Sequence, residues 1–399
     1  MPERKIFHLD LDAFFCSAEE LRRPELAGIP FAVGGRPDSR GVVASCSYAA
    51  RQLGIHSAMP MAQAVRLCPK LVRVSGDYAY YQSLSHQVMD VLRNWSGRIE
   101  PISIDEAFLD LTDLSEPSLS LAEKLQKQIK TETGLPCSIG VASNKLVAKM
   151  ATDVGKSRHK GITTPAAITI VPFGTEREFL APLKVKMLWG VGPKTAAVLE
   201  EMGILTIGQL TQVDERRLAQ RFGKMGSDLA RRARGEDDRP VEESHTVKSI
   251  SQETTFARDE ADGQVLEKVI RELSTQVGHS LRKEGICACT IRLKLRWADF
   301  TTITRQTTHS QPVDQDQIIA ETAITLLHQA WKPGTLVRLV GVGAANLTDN
   351  IRQLELWDTE ADKERRLLQA VDALKEKFGN QTIQRGFDKP DVKSNIPSK

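Results

Sequence analysis

Apolar and polar residues alternate along the chain with two different periods, which predict its strands and helices. Residues 6–9 form a short apolar run typical of a buried strand, and residues 137–142 form a second one. Residues 81–92 and 121–133 repeat apolar positions every three or four residues, which predicts two amphipathic helices. Residues 98–111, between these helices, predict a hairpin. This strand, helix, hairpin, helix and strand order is that of a ferredoxin-like sheet with helices on one face.

Two smaller parts accompany this sheet. A polar turn joins two short predicted strands within residues 31–45. Residues 144–152 predict a helix whose Lys145 and Lys149, four positions apart, are expected on a solvated face. Lys156 is expected beyond the end of that helix.

The second half of the chain changes pattern twice. Residues 173–235 are wholly helical, and the charged residues 237–240 are expected to form a linker. Residues 290–297 then alternate strictly between apolar and cationic side chains, which predicts a half-buried strand. A second α+β unit is completed by predicted strands at 301–308 and 336–342 and predicted helices at 265–281 and 318–330.

Length and composition limit the class of protein. A chain of 399 residues exceeds one ordinary core, so two to four domains are expected. The net charge of +3 permits nucleic-acid binding only through locally clustered cations. The six cysteines form no CxxC pair, which argues against zinc and indicates reduced thiols. No apolar run approaches the roughly 18 residues of a membrane helix, and His8, Asp10 and Asp12 interrupt any signal sequence, so a cytoplasmic location without membrane contact is expected.

Two acidic clusters supply the candidate chemistry. Asp105 and Glu106 are adjacent between apolar neighbours although like charges repel, so their charges are expected to be needed. Asp10 and Asp12 follow the first strand, and alternation along an extended strand would place both on one face. Mg²⁺ prefers carboxylate oxygens, and two acidic strand ends side by side can hold two ions, as in polymerases and nucleases. Either pair alone also fits a solvated turn or a strand cap.

A glycine hairpin lies inside the helical segment. Gly190 and Gly192 allow the backbone to approach a phosphate, and Pro193 suits the first turn of the helix that includes Lys194. The exposed amides of such a helix start bind phosphate without base preference. We therefore expect a helix-hairpin-helix DNA-binding motif. It is not a Walker A loop, because the required G-x-x-x-x-G-K-[ST] pattern is missing.

The strand at residues 290–297 offers a second candidate DNA contact. Arg292, Lys294 and Arg296 take one face of it, opposite apolar residues. A plain solvated face usually mixes charges of both signs, so three successive cations favour contact with phosphates.

Together these stretches resemble the Y-family DNA polymerases, the translesion class, and most closely their bacterial DinB (polymerase IV) group. The resemblance covers nearly the full chain, and its motifs occur in the family's order and spacing. The motifs are Asp10-Leu11-Asp12-Ala13-Phe14-Phe15, Tyr48-Ala49-Ala50-Arg51, Ser103-Ile104-Asp105-Glu106, and Ser143-Asn144-Lys145 followed by Lys156. The resemblance implies an α+β, multidomain, right-hand polymerase with a ferredoxin-like palm, small fingers, a helical thumb containing the helix-hairpin-helix, and a ferredoxin-like little finger.

The resemblance also implies a metal site. Asp10, Asp105 and Glu106 would be the catalytic carboxylates and would hold two Mg²⁺ ions, with Mn²⁺ able to substitute. Leu11 would lend its backbone carbonyl. Asp12, which alternation would permit as a ligand, is not one in the family pattern and is left out.

Other implied residues contact the nucleotide. Tyr48, Arg51 and Lys156 occupy the family's triphosphate-binding positions. Phe15 occupies the position of its steric gate, the aromatic ring that excludes a ribose hydroxyl. The implied reaction adds dNTPs to a primer 3′ end on a DNA template, with low fidelity and without proofreading.

The tail suggests a protein partner and completes the domain assignment. A segment resembling the sliding-clamp-binding peptide of bacterial polymerases comprises Gln353, Leu354, Leu356 and Trp357. A monomer that binds primer–template DNA, dNTP and the clamp is expected. The expected domains are palm (1–13 and 76–165), fingers (14–75), thumb (166–236), linker (237–246), little finger (247–346) and tail (347–399).

Two other functions remain as alternatives. A nucleotidyl-cyclase-like enzyme also uses a ferredoxin-like sheet with acidic pairs, but it would have no use for the glycine hairpin or the cationic strand. A non-catalytic DNA- and clamp-binding factor would not need Asp10, Asp105 and Glu106 together. Primer extension with Mg²⁺ and dNTPs separates all three functions.

Overall fold

The computed structural model describes residues 4–159, 161, 163–243, 246–349, 367–368, 370–374 and 377–378. The chain separates into two compact units, Met1–His245 and Thr246–Lys399. Among the described residues, no helix combines the length and apolar character needed to cross a membrane.

The first unit mixes short strands with helices of four to eighteen residues. Its strands are β1 (Ile6–Leu11), β2 (Phe31–Gly34), β3 (Val43–Cys46), β4 (Val72–Val74), β5 (Ile99–Pro101), β6 (Glu106–Asp110), β7 (Cys137–Ala142) and β8 (Ile168–Ile170). Its helices are α1 (Phe14–Arg22), α2 (Tyr48–Gln52), α3 (Met61–Leu67), α4 (Tyr78–Trp95), α5 (Ser118–Thr133), α6 (Lys145–Arg158), α7 (Glu176–Leu180), α8 (Pro193–Glu201), α9 (Ile207–Leu210), α10 (Glu215–Phe222) and α11 (Lys224–Ala233).

The central sheet of this unit has the strand order β5-β6-β1-β7-β8. The strands from β5 to β7 pair antiparallel, and β8 joins β7 in parallel. β1, α4, β5, β6, α5 and β7 thus form the predicted ferredoxin-like arrangement, with its first and third strands, β1 and β6, at the centre.

Alternation along β1 decides which side chains reach each face of the sheet. Phe7, Leu9 and Leu11 are buried in a core shared with α4 and α5. Ile6 belongs to a second core, which contains the apolar residues of α6. The helices α4 and α5 cover one face as predicted, and α6 covers the other face, which the sequence pattern did not predict.

α6 is longer than predicted and differs in what it exposes. Asn144 caps its start by accepting a hydrogen bond from the amide of Val147 at 3.0 Å. The helix continues to Arg158, so the placement of Lys156 beyond its end was wrong, and Lys156 lies in the last turn. The extension persists because no proline or left-handed residue interrupts it.

The residues around β2 form a small second sheet of order β3-β2-β4. β2 and β3 pair antiparallel, and β2 and β4 pair in parallel. A compact core with α2 and α3 lies beneath it, in which Met61 and Ile55 are fully buried.

The first residues of the segment predicted as a linker pack against other residues of the first unit. The carboxylate of Asp237 accepts a hydrogen bond from the amide of Leu146 at 3.0 Å, in the first turn of α6. Asn144 donates to the carbonyl of Gly235 at 2.9 Å, and the guanidinium of Arg239 lies 4.8 Å from the ring centroid of Trp189. The first residues of the predicted linker, 237–239, are therefore packed against the first unit.

Residues 246–349 of the second unit form a four-stranded antiparallel sheet with two helices. Its elements are β9 (Ser249–Glu260), α12 (Gly263–Lys283), β10 (Ile286–Trp297), β11 (Thr302–Val313), α13 (Asp316–Ala330) and β12 (Val337–Asp349). The strand order is β11-β10-β12-β9, so the second and fourth strands are central here. The apolar sides of α12 and α13 pack on the sheet in one core.

Candidate active site

The two acidic clusters meet because β1 and β6 are neighbours. In their antiparallel register Asp10 lies directly opposite Glu106. Two carboxylates at opposed positions destabilise a sheet unless cations offset them. Lys156 lies 2.5 Å from Asp10, and Lys149 lies 2.8 Å from Glu106, so α6 supplies both cations.

Asp105 joins this pair from the turn before β6. Its carbonyl accepts a hydrogen bond from the amide of Leu11 at 2.9 Å, which fixes the turn to the end of β1. Its carboxylate accepts from the hydroxyl of Ser103 at 2.6 Å. The structure thus brings the three predicted carboxylates to one edge of the sheet, where Asp105 is half-buried.

A buried histidine lies behind Glu106. His8 is fully buried, and its Nε2 is 3.6 Å from the Glu106 carboxylate. His8 Nδ1 and the hydroxyl of Thr152 are hydrogen-bonded at 2.9 Å. Burial lowers the pKa of His8. The neighbouring His8 ring and then the Lys149 ammonium hold the pKa of Glu106 at about 2, against the opposite effect of burial.

Asp10 and Lys156 also shift each other's pKa. Burial raises the pKa of Asp10, although the ammonium of Lys156 opposes this. Burial by itself would lower the pKa of Lys156, but Asp10 and Asp12 raise it overall. Lys156 therefore stays a cation in a partly buried position.

A cavity of about 470 Å³ opens beside these residues. Its size suits a nucleotide-sized ligand. Among the residues predicted for the metal and nucleotide sites, Glu106 is missing from the lining, although it is the cross-strand partner of Asp10. The lining residues are Asp10, Leu11, Ala13, Phe14, Phe15, Ala44, Ser45, Tyr48, Arg51, Ser57, Asp105, Asp153, Lys156 and Ser157.

Asp153 is the chemically distinctive lining residue that the sequence reasoning missed. It lies on α6, four positions after Lys149 and three before Lys156. Helical spacing places these residues on one face, so the period of the helix contained the signal. Burial raises the pKa of Asp153, opposed by Lys149.

The predicted triphosphate contacts converge on this cavity. Tyr48 and Arg51 lie on α2, which Ser47 caps by accepting from the amide of Ala50. The Tyr48 hydroxyl is buried and has no hydrogen-bond partner in the described part of the chain. Burial raises its pKa to about 12, so it remains a proton donor. The guanidinium of Arg51 lies 4.7 Å from the Tyr48 ring centroid, and Arg51 is an exposed residue whose planar fork suits an anion.

Phe15 forms one wall of the same cavity. Its ring stacks on Tyr81 at 4.5 Å between centroids and 17° between planes, and it meets Tyr78 edge-on at 5.6 Å. The hydroxyl of Tyr81 donates to the buried carboxylate of Glu19 at 2.7 Å. This packing holds the Phe15 ring at a fixed orientation toward the cavity.

The placement of Lys145 and Lys149 on a solvated face was wrong. Lys145 is buried and pairs with Glu100 at 2.6 Å, and Lys149 pairs with Glu106. The physical reason is that the face of α6 that carries them packs against the acidic edge of the sheet.

The predicted helix-hairpin-helix residues lie where a phosphate could reach them. Gly190 has a φ of 93°, a backbone conformation that side chains other than glycine rarely adopt, so this turn favours glycine. Gly192 precedes α8, with Pro193 in its first turn. Gly192 and Lys194 are exposed.

The cationic strand is β10, and its alternation is confirmed. Its apolar residues Ile291, Leu293 and Leu295 are buried. Arg292, Lys294 and Arg296 point to the other face, where Lys294 pairs with Glu253 at 2.7 Å. The predicted clamp-binding residues lie outside the described residues; they are Gln353, Leu354, Leu356 and Trp357.

The three carboxylates are candidate ligands of a divalent metal ion. Over the described ranges, no three His, Cys, Asp or Glu side chains are already gathered as a metal site. Asp10 and Glu106 each contact a lysine instead. The donor chemistry nevertheless fits Mg²⁺, because Asp10, Leu11 and Asp105 present hard oxygen atoms along one cavity wall beside Glu106.

Comparison with known sequences covers both units. The model of the impB/mucB/samB family matches residues 9–153, that of its C-terminal domain matches residues 247–356, and the DNA polymerase-iota thumb domain matches residues 186–237. DNA polymerase IV of Dehalococcoides mccartyi strain CBDB1 is 39% identical over 390 residues, which cover 97% of this chain and 98% of that protein. DNA polymerase IV of Bacillus anthracis is 36% identical over 393 residues, covering 96% and 93%.

Comparison with solved structures supports the same fold. A Y-family DNA polymerase chimera matches with a TM-score of 0.77 and 24% identity, covering 87% of this chain and all of that chain. DinB from Sulfolobus solfataricus matches with a TM-score of 0.58 at the same identity and coverage. The α+β, multidomain polymerase fold expected from the sequence is thereby confirmed.

Proposed function

This chain belongs to the impB/mucB/samB family and is a Y-family DNA-directed DNA polymerase of the polymerase IV group, and from that premise we propose how its residues perform the reaction. Asp10, Asp105 and Glu106 bind two Mg²⁺ ions, or Mn²⁺ in their place, and Leu11 adds its carbonyl. The observation that carries this proposal is the direct cross-strand pairing of Asp10 with Glu106 at the cavity edge.

The reaction joins a primer 3′ oxygen to the α-phosphate of a dNTP, and pyrophosphate leaves in line. Bound metal ions would supply Lewis-acid activation of the attacking oxygen and neutralisation of the leaving phosphates. Lys156 and Arg51 offset the negative charge of the triphosphate, and the unpartnered Tyr48 hydroxyl donates a hydrogen bond to it. These groups already line the cavity before the substrate binds. Because they need little rearrangement, they stabilise the charge of the transition state.

Sugar selection rests on Phe15. Its ring lies in the cavity wall and stacks on Tyr81, which prevents it from moving away from the cavity. A ribose hydroxyl at C2′ would therefore collide with the Phe15 ring. Low fidelity, translesion synthesis and the lack of proofreading are proposed on the support of family membership.

DNA contact is proposed at two places. The exposed start of α8, with Gly190, Gly192 and Lys194, would bind the phosphate backbone of the duplex. Arg292, Lys294 and Arg296 on β10 would contact other phosphates. A monomer that docks on a sliding clamp through its tail completes the proposal, with palm, fingers, thumb, linker and little finger divided as the sequence predicts.

The metal assignment is tested with neutral isosteres. Asp105→Asn and Glu106→Gln should each lower Mg²⁺-dependent primer extension by at least roughly a hundredfold, because transition-state charge loses its stabilisation. Primer–template binding, measured by fluorescence anisotropy, should change little. Asp110→Asn is the matched control, since Asp110 lies at the far end of β6 and accepts from Thr112. Substantial extension by both site variants would contradict the assignment.

A further inference from the structure

Asp12 is a buried carboxylate beside the active site to which the proposed reaction gives no role. It follows β1 directly and is fully buried. The hydroxyl of Ser138 donates to it, at 2.9 and 3.1 Å from its two oxygens. The amide of Ala166 donates to Oδ2 at 2.9 Å. These donors fix the carboxylate in one orientation.

Lys156 connects this fixed carboxylate to the cavity. Its Nζ lies 2.5 Å from Oδ1 of Asp10 and 3.3 Å from Oδ1 of Asp12. An ammonium has three N–H donors, so contacts with both acids leave a third for the cavity that Lys156 lines. Its two acidic partners differ, because Asp10 lines the cavity and Asp12 does not.

We propose that Asp12 is a positioning residue that holds the Lys156 ammonium at the cavity, aimed at the triphosphate of the incoming nucleotide. The inference rests on the proposed function, in which Lys156 binds that triphosphate. A lysine side chain has several free torsions and loses considerable entropy when it is fixed. Asp12 reduces that loss because its own orientation is already set by Ser138 and Ala166.

The charge of Asp12 alone would have the opposite effect. A second carboxylate near Lys156 reduces the attraction between the ammonium and a triphosphate. Positioning therefore predicts weaker nucleotide binding when Asp12 is neutralised, and simple charge reduction predicts tighter binding. The direction of the change in nucleotide affinity therefore distinguishes positioning from simple charge reduction.

The test measures the dissociation constant of a correct dNTP from single-turnover incorporation on primer–template, and the inhibition constant of inorganic tripolyphosphate. Asp12→Asn should raise both constants roughly tenfold, the effect of losing one charge-assisted hydrogen bond. Ser138→Ala keeps the charge of Asp12 but loosens it, and should raise both constants by a smaller factor. Asp110→Asn is the isosteric control within the same sheet and should leave both unchanged, as should DNA affinity in every variant.

A double-mutant cycle shows whether Asp12 acts through Lys156. In a Lys156→Ala background, Asp12→Asn should change the dNTP constant by less than about twofold, because the group that it positions is gone. A full additional tenfold loss in that background would overturn the inference. So would unchanged or tighter dNTP binding by Asp12→Asn in the wild-type background.

Two controls distinguish a failure of the positioning role from misfolding of a variant and from failure of the proposed function. Thermal unfolding monitors each variant, and if Asp12→Asn does not fold, Ser138→Ala decides the question alone, with unchanged constants counting against positioning. A wild-type protein that incorporates no dNTP would refute the proposed function. An active wild type with insensitive Asp12 and Ser138 variants would refute only the positioning role.

Discussion

Lys145 and Glu100 form an ion pair whose burial allows its energetic role to be measured. Their charged atoms are 2.6 Å apart, and the two side chains are only 6% and 8% exposed. The amide of Glu242 also donates to the Glu100 carboxylate at 3.1 Å. Lys145→Met keeps most of the apolar stem and removes the ammonium, so the perturbation is electrostatic.

The expected cost follows from the burial. Removing one partner of a buried pair costs about 3–5 kcal/mol, because the remaining charge stays out of water. The amide of Glu242 still stabilises Glu100, so we expect about 3 kcal/mol, at the lower end of that range. Lys124→Met is the control, since Lys124 pairs with Glu116 at 2.5 Å while their side chains are 57% and 46% exposed. An exposed pair contributes about 0.2–1 kcal/mol.

Native-state hydrogen exchange in urea measures both variants, with mass spectrometry following amides of β5 and α6. For an m-value of roughly 3 kcal/mol per M, the Lys145→Met transition should shift by about 1 M. Adding Glu100→Gln removes the buried carboxylate charge that Lys145 offsets and should restore about 2 kcal/mol.

A stabilising role for the buried pair would be refuted if Lys145→Met lowered the free energy of unfolding by no more than Lys124→Met. It would also fail if Glu100→Gln destabilised the Lys145→Met variant further. Either result would mean that burial does not govern the energy of this pair.

Three other predictions address the site and the tail. Phe15→Ala should raise ribonucleotide incorporation relative to dNTP by roughly ten- to a hundredfold, as measured by the ratio of kcat/KM values. Glu106 has a folded pKa of about 2 and an ordinary pKa of 4.5, so it stabilises the fold above pH 4.5 and loses this effect as the pH falls to 2. Lys149→Met should therefore be less stable than wild type at pH 7 in EDTA, and urea midpoints should converge toward pH 2. Leu356→Ala with Trp357→Ala should weaken clamp binding by roughly thirtyfold or more, measured by surface plasmon resonance.

Each of these predictions has a contradicting outcome. Unchanged sugar selection by a folded, active Phe15→Ala variant would contradict the steric-gate role of Phe15. A stability difference for Lys149→Met that is independent of pH would show that Glu106 is not its partner. Full clamp stimulation of extension by the tail variant would place the docking surface elsewhere.

Local patterns in the sequence were sufficient where the determining interactions are local. The alternation of Arg292 with Leu293 predicted the two faces of β10, because period-2 spacing is a property of any strand. The acidic ends of two apolar runs predicted that Asp10 and Glu106 would meet, and β1 and β6 pair in that register.

The partners of charged residues could not be predicted in this way. Lys149 and Glu106 are 43 positions apart, and Asp12 and Ser138 are 126 apart, so no periodic pattern connects either pair. Helical spacing identified the face that carries Lys149 but not what covers it. That face is buried because the sheet packs there and requires cations opposite its acids.

The same limit applies to the packing of the first residues of the predicted linker. Charged residues beside a proline are typical of exposed chain, and Asp237 and Arg239 fit that description. In the structure Asp237 instead hydrogen-bonds to the first turn of α6, across 91 positions. Only tertiary contact reveals such a cap, because the amide at a helix start donates a hydrogen bond to any suitably placed carboxylate.

The number of bound metal ions is the most direct measure of whether the predicted carboxylates hold two of them. Mn²⁺ binding is measured by electron paramagnetic resonance in the complex of the full chain with primer–template and a non-hydrolysable dNTP analogue. We expect two tightly bound ions per chain for wild type and for Asp110→Asn, and at most one for the combined Asp105→Asn and Glu106→Gln variant. Two tight ions retained by that combined variant would contradict the assignment of these carboxylates.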